Sequence, residues 1–210
     1  MRVNENLSKN GSGVEVSEFS LSDLTPENIA FLRAKWVEYG LIVFPKLPLS
    51  HDEFKDFALS FGEFGDDPFI SSLPDYPNIA EIKRSAKEKA TPFGGTWHSD
   101  WSFMKKPPSA TLLHSKIIPP VGGNTLFANT EKAFAALPDE MKDKLRNLKV
   151  IHSAKIPYAD DGFYALEKEE RSMKILPSKE AKATFSHPMI KIHPETKKEC
   201  LFINPVYTIN

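Results

Sequence analysis

Apolar positions along the first third of the chain recur at helical spacing. Behind Thr25, a natural N-cap followed by Pro26 at the first helical position, Ile29, Leu32, Trp36 and Val37 fall on one side of a helix that Gly40 closes. Behind Ser50, with Asp52 and Glu53 placed where a helix dipole favours acids, Phe54, Phe57, Ala58 and Phe61 repeat at i, i+3, i+4 and i+7, up to Gly62. Between the two helices, residues 41–44 (Leu-Ile-Val-Phe) form an unbroken apolar run ended by Pro45, which reads as a buried strand.

Further along, the pattern shortens. Val14, Val16 and Phe19 suggest a first strand, and residues 79–82, 110–118, 125–128 and 150–152 read as further strands. Met189 to Ile192 and Leu201 to Ile203, separated by the turn residues Pro194 to Lys197, read as a hairpin. Thr130 and Pro138 each start a short helix. Residues 1–12 are polar and expected to form a loose, disordered tail, leaving a single domain over 13–210. Residues 62–78 read as a long loop suited to a lid or substrate wall. Residues 157–184, charge-rich and weakly periodic, read as an insertion over a mouth. Helices early and short strands later give an α+β class with an antiparallel β core.

Charge narrows the partners. The 210 residues carry a net charge of −1 with acids and bases interspersed, so no nucleic acid and no anionic membrane is expected. The single cysteine, Cys200, excludes an intrachain disulfide framework and fits a reducing, cytoplasmic setting. The N-terminus has no apolar leader pattern, and no apolar run reaches membrane length. Fifteen phenylalanines promise a well-packed globule with an apolar pocket.

Candidate chemistry centres on Gly94-Gly95-Thr96-Trp97-His98-Ser99-Asp100-Trp101-Ser102-Phe103. In an extended segment His98 and Asp100 leave the same face and can converge on one divalent ion. Imidazole nitrogen with carboxylate oxygen suits Fe(II), Mn(II) or Zn(II). Chance alone gives about 0.3 such pairs in a chain of this composition, so the spacing by itself equally describes a surface or turn-capping pair. The flanking glycines and aromatic rings strengthen the metal reading to the point where it stands level with a surface or turn-capping pair. Of the other histidines, His114 and His152 read as structural, while His187 and His193 each sit beside a proline at a turn.

Residues 97–103 (Trp-His-Ser-Asp-Trp-Ser-Phe), Pro107-Pro108-Ser109-Ala110, residues 119–127 (Pro-Pro-Val-Gly-Gly-Asn-Thr-Leu-Phe), and the downstream residues 187–196 and 201–204 together resemble the TauD/TfdA family of Fe(II)- and 2-oxoglutarate-dependent dioxygenases. The resemblance runs from about residue 14 to 210 and implies a double-stranded β-helix, or jelly roll, with flanking N-terminal helices. It implies that His98 and Asp100 are the first two iron ligands and that Thr125 holds the distal carboxylate of 2-oxoglutarate. The residue chemistry of Thr125 alone favours a β-branched strand residue chosen for its shape. The family's third histidine ligand and 2-oxoglutarate arginine would lie beyond residue 210, so the chain is expected to be a C-terminally truncated fragment lacking core strands. Gly94 stands where the family's taurine enzyme carries asparagine. The implied reaction is hydroxylation of a small sulfonate, sulfate ester or ether/carboxylate substrate by O2, with release of succinate and CO2 and with homo-oligomerisation left open. Two alternatives stand beside it. One is a non-catalytic fragment with an incomplete metal site. The other is a Zn(II) hydrolase completed by His152 or His193.

Overall fold

A computed structural model describes residues 1–210, which pack as two compact units interleaved in sequence rather than as one continuous run. The first unit comprises residues 1–64, 112–133 and 192–198. Its sheet orders β1 (Arg2–Asn4), β2 (Val14–Ser17) and β3 (Ile42–Val43), with β1 antiparallel and β3 parallel to β2. A parallel pair needs a crossover, and α1 (Pro26–Tyr39) supplies it. The helix starts where the sequence says it should: Thr25 Oγ1 accepts the Asn28 N–H, and Gly40 closes the other end at φ +76°, a conformation costly for any residue with a Cβ. Of the expected stripe, Leu32 is the residue fully buried, as are Val14 and Val16 of β2. The helix α2 (His51–Leu59) begins in a reciprocal Ser50–Glu53 capping box, and Phe57 joins Phe19, Phe44 and Phe61 in edge-on ring contacts.

The second unit holds residues 65–111, 134–191 and 199–210. Its strands are β4 (Ser72–Leu73) and β5 (Tyr76–Ala80), forming a hairpin, then β6 (Lys149–Ser153), β7 (Thr184–Pro188), β8 (Ile190–Ile192), whose last residue belongs to the first unit, and β9 (Glu199–Leu201). The short helices α3 (Thr130–Ala135), α4 (Asp139–Arg146), α5 (Lys155–Tyr158) and α6 (Phe163–Leu166) lie between them in sequence, the first residues of α3 belonging to the first unit. β6 is flanked on both edges. β7 pairs with it antiparallel in continuous register from Lys149↔Pro188 to Ser153↔Thr184. On the other side residues 207–210 exchange backbone hydrogen bonds with Ile151 and Ser153. A core of Phe69, Phe103, Tyr158 and Tyr207 forms beside this sheet, with Phe69 and Tyr158 stacked at 5.1 Å.

Three sequence expectations change. The N-terminal tail is not loose throughout, because Arg2–Asn4 finds the open edge of β2. Residues 110–118 and 125–128 form no strand: an apolar run supplies strand chemistry, but a strand also needs a hydrogen-bonding neighbour, and none pairs with them. Residues 157–184 are less an insertion than expected, since Tyr158 and Ala181 enter the core. The sheets contain three, two, two and two strands, and the architecture is mixed α and β. The expected helices at Thr130 and after Pro138, the strand at 150–152 and the hairpin near 190–201 all form. No helix is long and apolar enough to cross a membrane.

Candidate metal centre

His98 and Asp100 do converge, by a turn and not by a strand. Residues 93–103 contain no regular element, and the chain reverses at Asp100 to Phe103 with Trp101 at φ +47°. The outcome is the one expected from an extended segment: His98 Nε2 lies 3.1 Å from Asp100 Oδ1. The His98 Nδ1–H donates to the Thr96 carbonyl at 2.7 Å, which fixes the ring orientation and leaves Nε2 as the atom facing the carboxylate. Thr111 Oγ1 donates to the second carboxylate oxygen, Asp100 Oδ2, at 2.8 Å. With one oxygen held by Thr111, the other is left to face His98.

Electrostatics follow from this contact. The hydrogen bond to Asp100 raises the His98 pKa above its ordinary value against the opposing effect of burial, and the same contact lowers that of Asp100, with Thr111 helping. A cation bound between the two would replace the proton they share. The spacing suits one. Nitrogen and oxygen donors about 2.0–2.2 Å from an ion and at right angles to each other lie about 3 Å apart. Side-chain exposures of 27% and 43% leave the pair open to solvent and ligands.

Around the pair, Tyr207 sets its ring edge-on to His98 at 6.3 Å and to Phe103 at 4.8 Å. Burial pushes the Tyr207 phenol far above its usual range, so it stays a neutral wall. Asp67 accepts the backbone N–H groups of Phe69 and Ile70 and a bond from the Trp101 side chain. Burial raises its pKa, and the nearby Asp100 charge adds to the effect.

The other sequence candidates fall elsewhere. His152 is fully buried with both ring nitrogens engaged, Nδ1 to the Ser102 carbonyl at 3.1 Å and Nε2 to Thr208 Oγ1 at 3.1 Å. It has no lone pair left for an ion. His193 Nδ1 accepts the backbone N–H groups of Glu195 and Thr196, capping its own turn. His187 Nε2 donates to the Met104 carbonyl. His114 packs against Phe54 in the first unit at 5.3 Å. Nowhere do three or more His, Cys, Asp or Glu side chains gather around a point where one ion could be held. The hydrolase set completed by His152 or His193 is therefore not assembled. Thr125 is an exposed residue of the first unit, outside any strand. Of the aromatic rings near the pair in sequence or space, Trp97 is exposed while Phe69 and Phe103 are core.

The sequence reading missed Thr111, Tyr207 and Asp67. Thr111 is 11 residues from Asp100 across two prolines, and no spacing rule links them. Tyr207 reaches His98 because residues 207–210 lie along β6, a pairing with no local signature.

Among curated proteins, the chain is 30% identical over 207 residues to an alpha-ketoglutarate-dependent sulfonate dioxygenase of Saccharomyces cerevisiae, covering 93% of this chain and 48% of the relative. It is 29% identical to an alkylsulfatase of Acinetobacter baylyi (91% of this chain, 59% of the relative). To a (S)-phenoxypropionate/alpha-ketoglutarate-dioxygenase of Sphingobium herbicidovorans it is 28% identical (91% and 67%). The chain thus spans about half to two thirds of these relatives. Among solved structures, a taurine dioxygenase from Burkholderia xenovorans superposes with a TM-score of 0.71 at 23% identity, covering 94% of this chain and 62% of that one. AAD-2 in complex with Mn(II) and N-oxalylglycine superposes with a TM-score of 0.65 at 19% identity, covering 99% and 71%. These likenesses show a shared fold. The model of the family described as taurine catabolism dioxygenase TauD, TfdA matches residues 5–210, and the chain belongs to that family.

Proposed function

We propose that the chain carries the metal-binding face of an Fe(II)- and 2-oxoglutarate-dependent dioxygenase with a jelly-roll core, acting on a small organic sulfonate, sulfate ester or aryloxy acid. The observation that carries this is the 3.1 Å approach of His98 Nε2 to Asp100 Oδ1, with Nδ1 tied back to Thr96, in a chain of this family. The substrate class rests on the names of the similar proteins, which include sulfonate, sulfate ester and phenoxypropionate dioxygenases.

When bound, iron with 2-oxoglutarate and O2 supplies the oxidising chemistry: one oxygen atom enters succinate as CO2 is lost, and the other hydroxylates the substrate carbon. The chain's own residues do the positioning. His98 and Asp100 present two donors side by side, Thr96 fixes which imidazole nitrogen faces the ion, and Thr111 fixes which carboxylate oxygen does. Tyr207 covers the edge of His98 with an apolar ring. The hydroxyl of Thr125 is the donor proposed for the distal carboxylate of 2-oxoglutarate.

The test is succinate formation by the protein supplied with Fe(II), O2 and 2-oxoglutarate and, in turn, an alkanesulfonate, an alkyl sulfate and an aryloxyalkanoate. Succinate that depends on Fe(II) and on one of these substrates is expected. Release of sulfate or phenol with Zn(II), without O2 or 2-oxoglutarate, would overturn the oxygenase reading in favour of a hydrolase.

A further inference from the structure

The turn that brings Asp100 to His98 has no ladder to hold it. Its own backbone supplies two bonds, Ser102 N–H to the Ser99 carbonyl and Met104 N–H to the Trp101 carbonyl. Trp101 sits at φ +47°, a conformation that a bulky residue keeps only where its surroundings over-determine it. The remaining constraints come from side chains far away in sequence. Ser102, with no exposed surface, receives His152 Nδ1–H on its carbonyl and Asn204 Nδ2–H on its hydroxyl, the latter at 2.9 Å. His187 holds the Met104 carbonyl at 3.0 Å.

His152 is the centre of this brace. A carbonyl can only accept, so Nδ1 carries the proton and Nε2 accepts from the Thr208 hydroxyl. Thr208 Oγ1 in turn accepts the Asn204 backbone N–H at 3.0 Å, so each member of the chain of bonds is both donor and acceptor in one consistent direction. The imidazole cannot slide. Its face lies parallel to Phe202, 5.2 Å away and 5° from coplanar, and the Lys191 ammonium lies 3.4 Å from the centre of the Phe202 ring.

We propose that His152 is a positioning residue for the metal-binding pair, transmitting the rigidity of β6 through the Ser102 carbonyl to the turn that aims Asp100 at His98. This rests on the metal reading of His98 and Asp100. A buried histidine serving the core alone would be indifferent to the identity of the carbonyl it holds, and its loss would lower stability without touching the ion. A brace predicts both.

The experiment measures the Mn(II) dissociation constant of the purified chain by electron spin resonance of free Mn(II), together with the indole 15N–1H resonance of Trp101. Each variant is measured at a temperature where circular dichroism shows it folded. His152→Leu, which keeps the volume and removes both bonds, is expected to weaken Mn(II) binding about 10–100-fold and to shift or broaden the Trp101 indole signal. His152→Asn, whose amide can still donate to Ser102, is expected to restore binding to within about threefold of the parent. Leu32→Val, a core change in the first unit, is expected to lower the unfolding midpoint and leave both readouts alone. Where His152→Leu does not fold, Thr208→Val and His152→Asn carry the same comparison, with Thr208→Val the weaker binder. Parent-like affinity and an unmoved indole signal in His152→Leu, or in Thr208→Val as its substitute, would overturn the brace. Parent protein that binds no Mn(II), or binds it equally after His98→Ala, would overturn the metal reading instead and leave the brace with nothing to position.

Discussion

Two stretches of the chain share a sequence character and meet different fates. Residues 97–104 and residues 110–128 are both rich in apolar and aromatic side chains, and neither forms a strand. In the second unit, the turn from Asp100 to Met104 is pinned by side chains from β6, β7 and the segment around Asn204, and Ser102 and Phe103 are buried. In residues 112–128 of the first unit, Ile117 is 96% exposed, Val121 87% and Leu126 70%. Irregular backbone is held in place when distant polar side chains satisfy it. Apolar content without hydrogen-bonding neighbours does not build a strand.

The sharpest break between the two stretches is expected at the ligand pair. His98→Ala or Asp100→Ala should cost at least about 100-fold in Mn(II) affinity, given that outer partners alone are worth about 10–100-fold, and calorimetric titration reads this directly. Because both side chains are partly exposed, the unfolding free energy should move by no more than about 0.5 kcal/mol.

Next is the stability of the brace. His152→Leu strands the Ser102 carbonyl and the Thr208 hydroxyl, each worth about 1–3 kcal/mol when left unpaired, so urea unfolding should show a loss of about 2–4 kcal/mol. The same site gives a pH dependence with a definite sign. Burial lowers the His152 pKa below its ordinary value near 6.5, with His187 and Lys191 adding to the effect, and burial lowers that of His187 as well. The unfolded chain therefore takes up protons first as pH falls. Stability from these groups is complete above about pH 6.5 and declines below it, by at most about 1.4 kcal/mol per pH unit for each histidine. Urea midpoints between pH 7.5 and about 5 should show a flatter descent in His152→Asn than in the parent.

Thr111→Val should have a smaller effect, near the low end of the range for outer partners, about 10-fold in Mn(II) affinity, because Asp100 Oδ1 is still held by His98. Smallest of all, Ile117→Ser with Val121→Ser should leave the unfolding free energy within about 0.5 kcal/mol. Light scattering should show less self-association, since an exposed apolar stretch has been broken. A loss of several kcal/mol there would erase the contrast between the two stretches.

What could be read in the sequence is what neighbouring residues decide. Thr25 and Pro26 start α1 and Gly40 stops it, while Ser50 and Glu53 cap α2. Each signal acts within one turn of helix and survives any tertiary context. The His98–Asp100 pair was legible because two residues of separation constrain two side chains even when the backbone turns instead of extending. The strands expected at 110–118 and 125–128 were overcalled for the converse reason: pairing is a property of two segments, and periodicity describes one. For the same cause the edge strand Arg2–Asn4 was missed, as was the docking of residues 207–210 along β6, which puts Tyr207 beside His98 and Thr208 beside His152. His152 was read as structural, and it is. Its bond to Ser102 was not legible, because residue 152 and residue 102 meet only through the fold.

The most direct measurement follows the ring protons of the six histidines by NMR while Mn(II) is titrated into the protein. Paramagnetic broadening at substoichiometric metal should strike His98 first, with the Tyr207 ring close behind. Broadening that begins at another histidine, or that leaves His98 untouched, would contradict the assignment of His98 and Asp100 as the metal-binding pair.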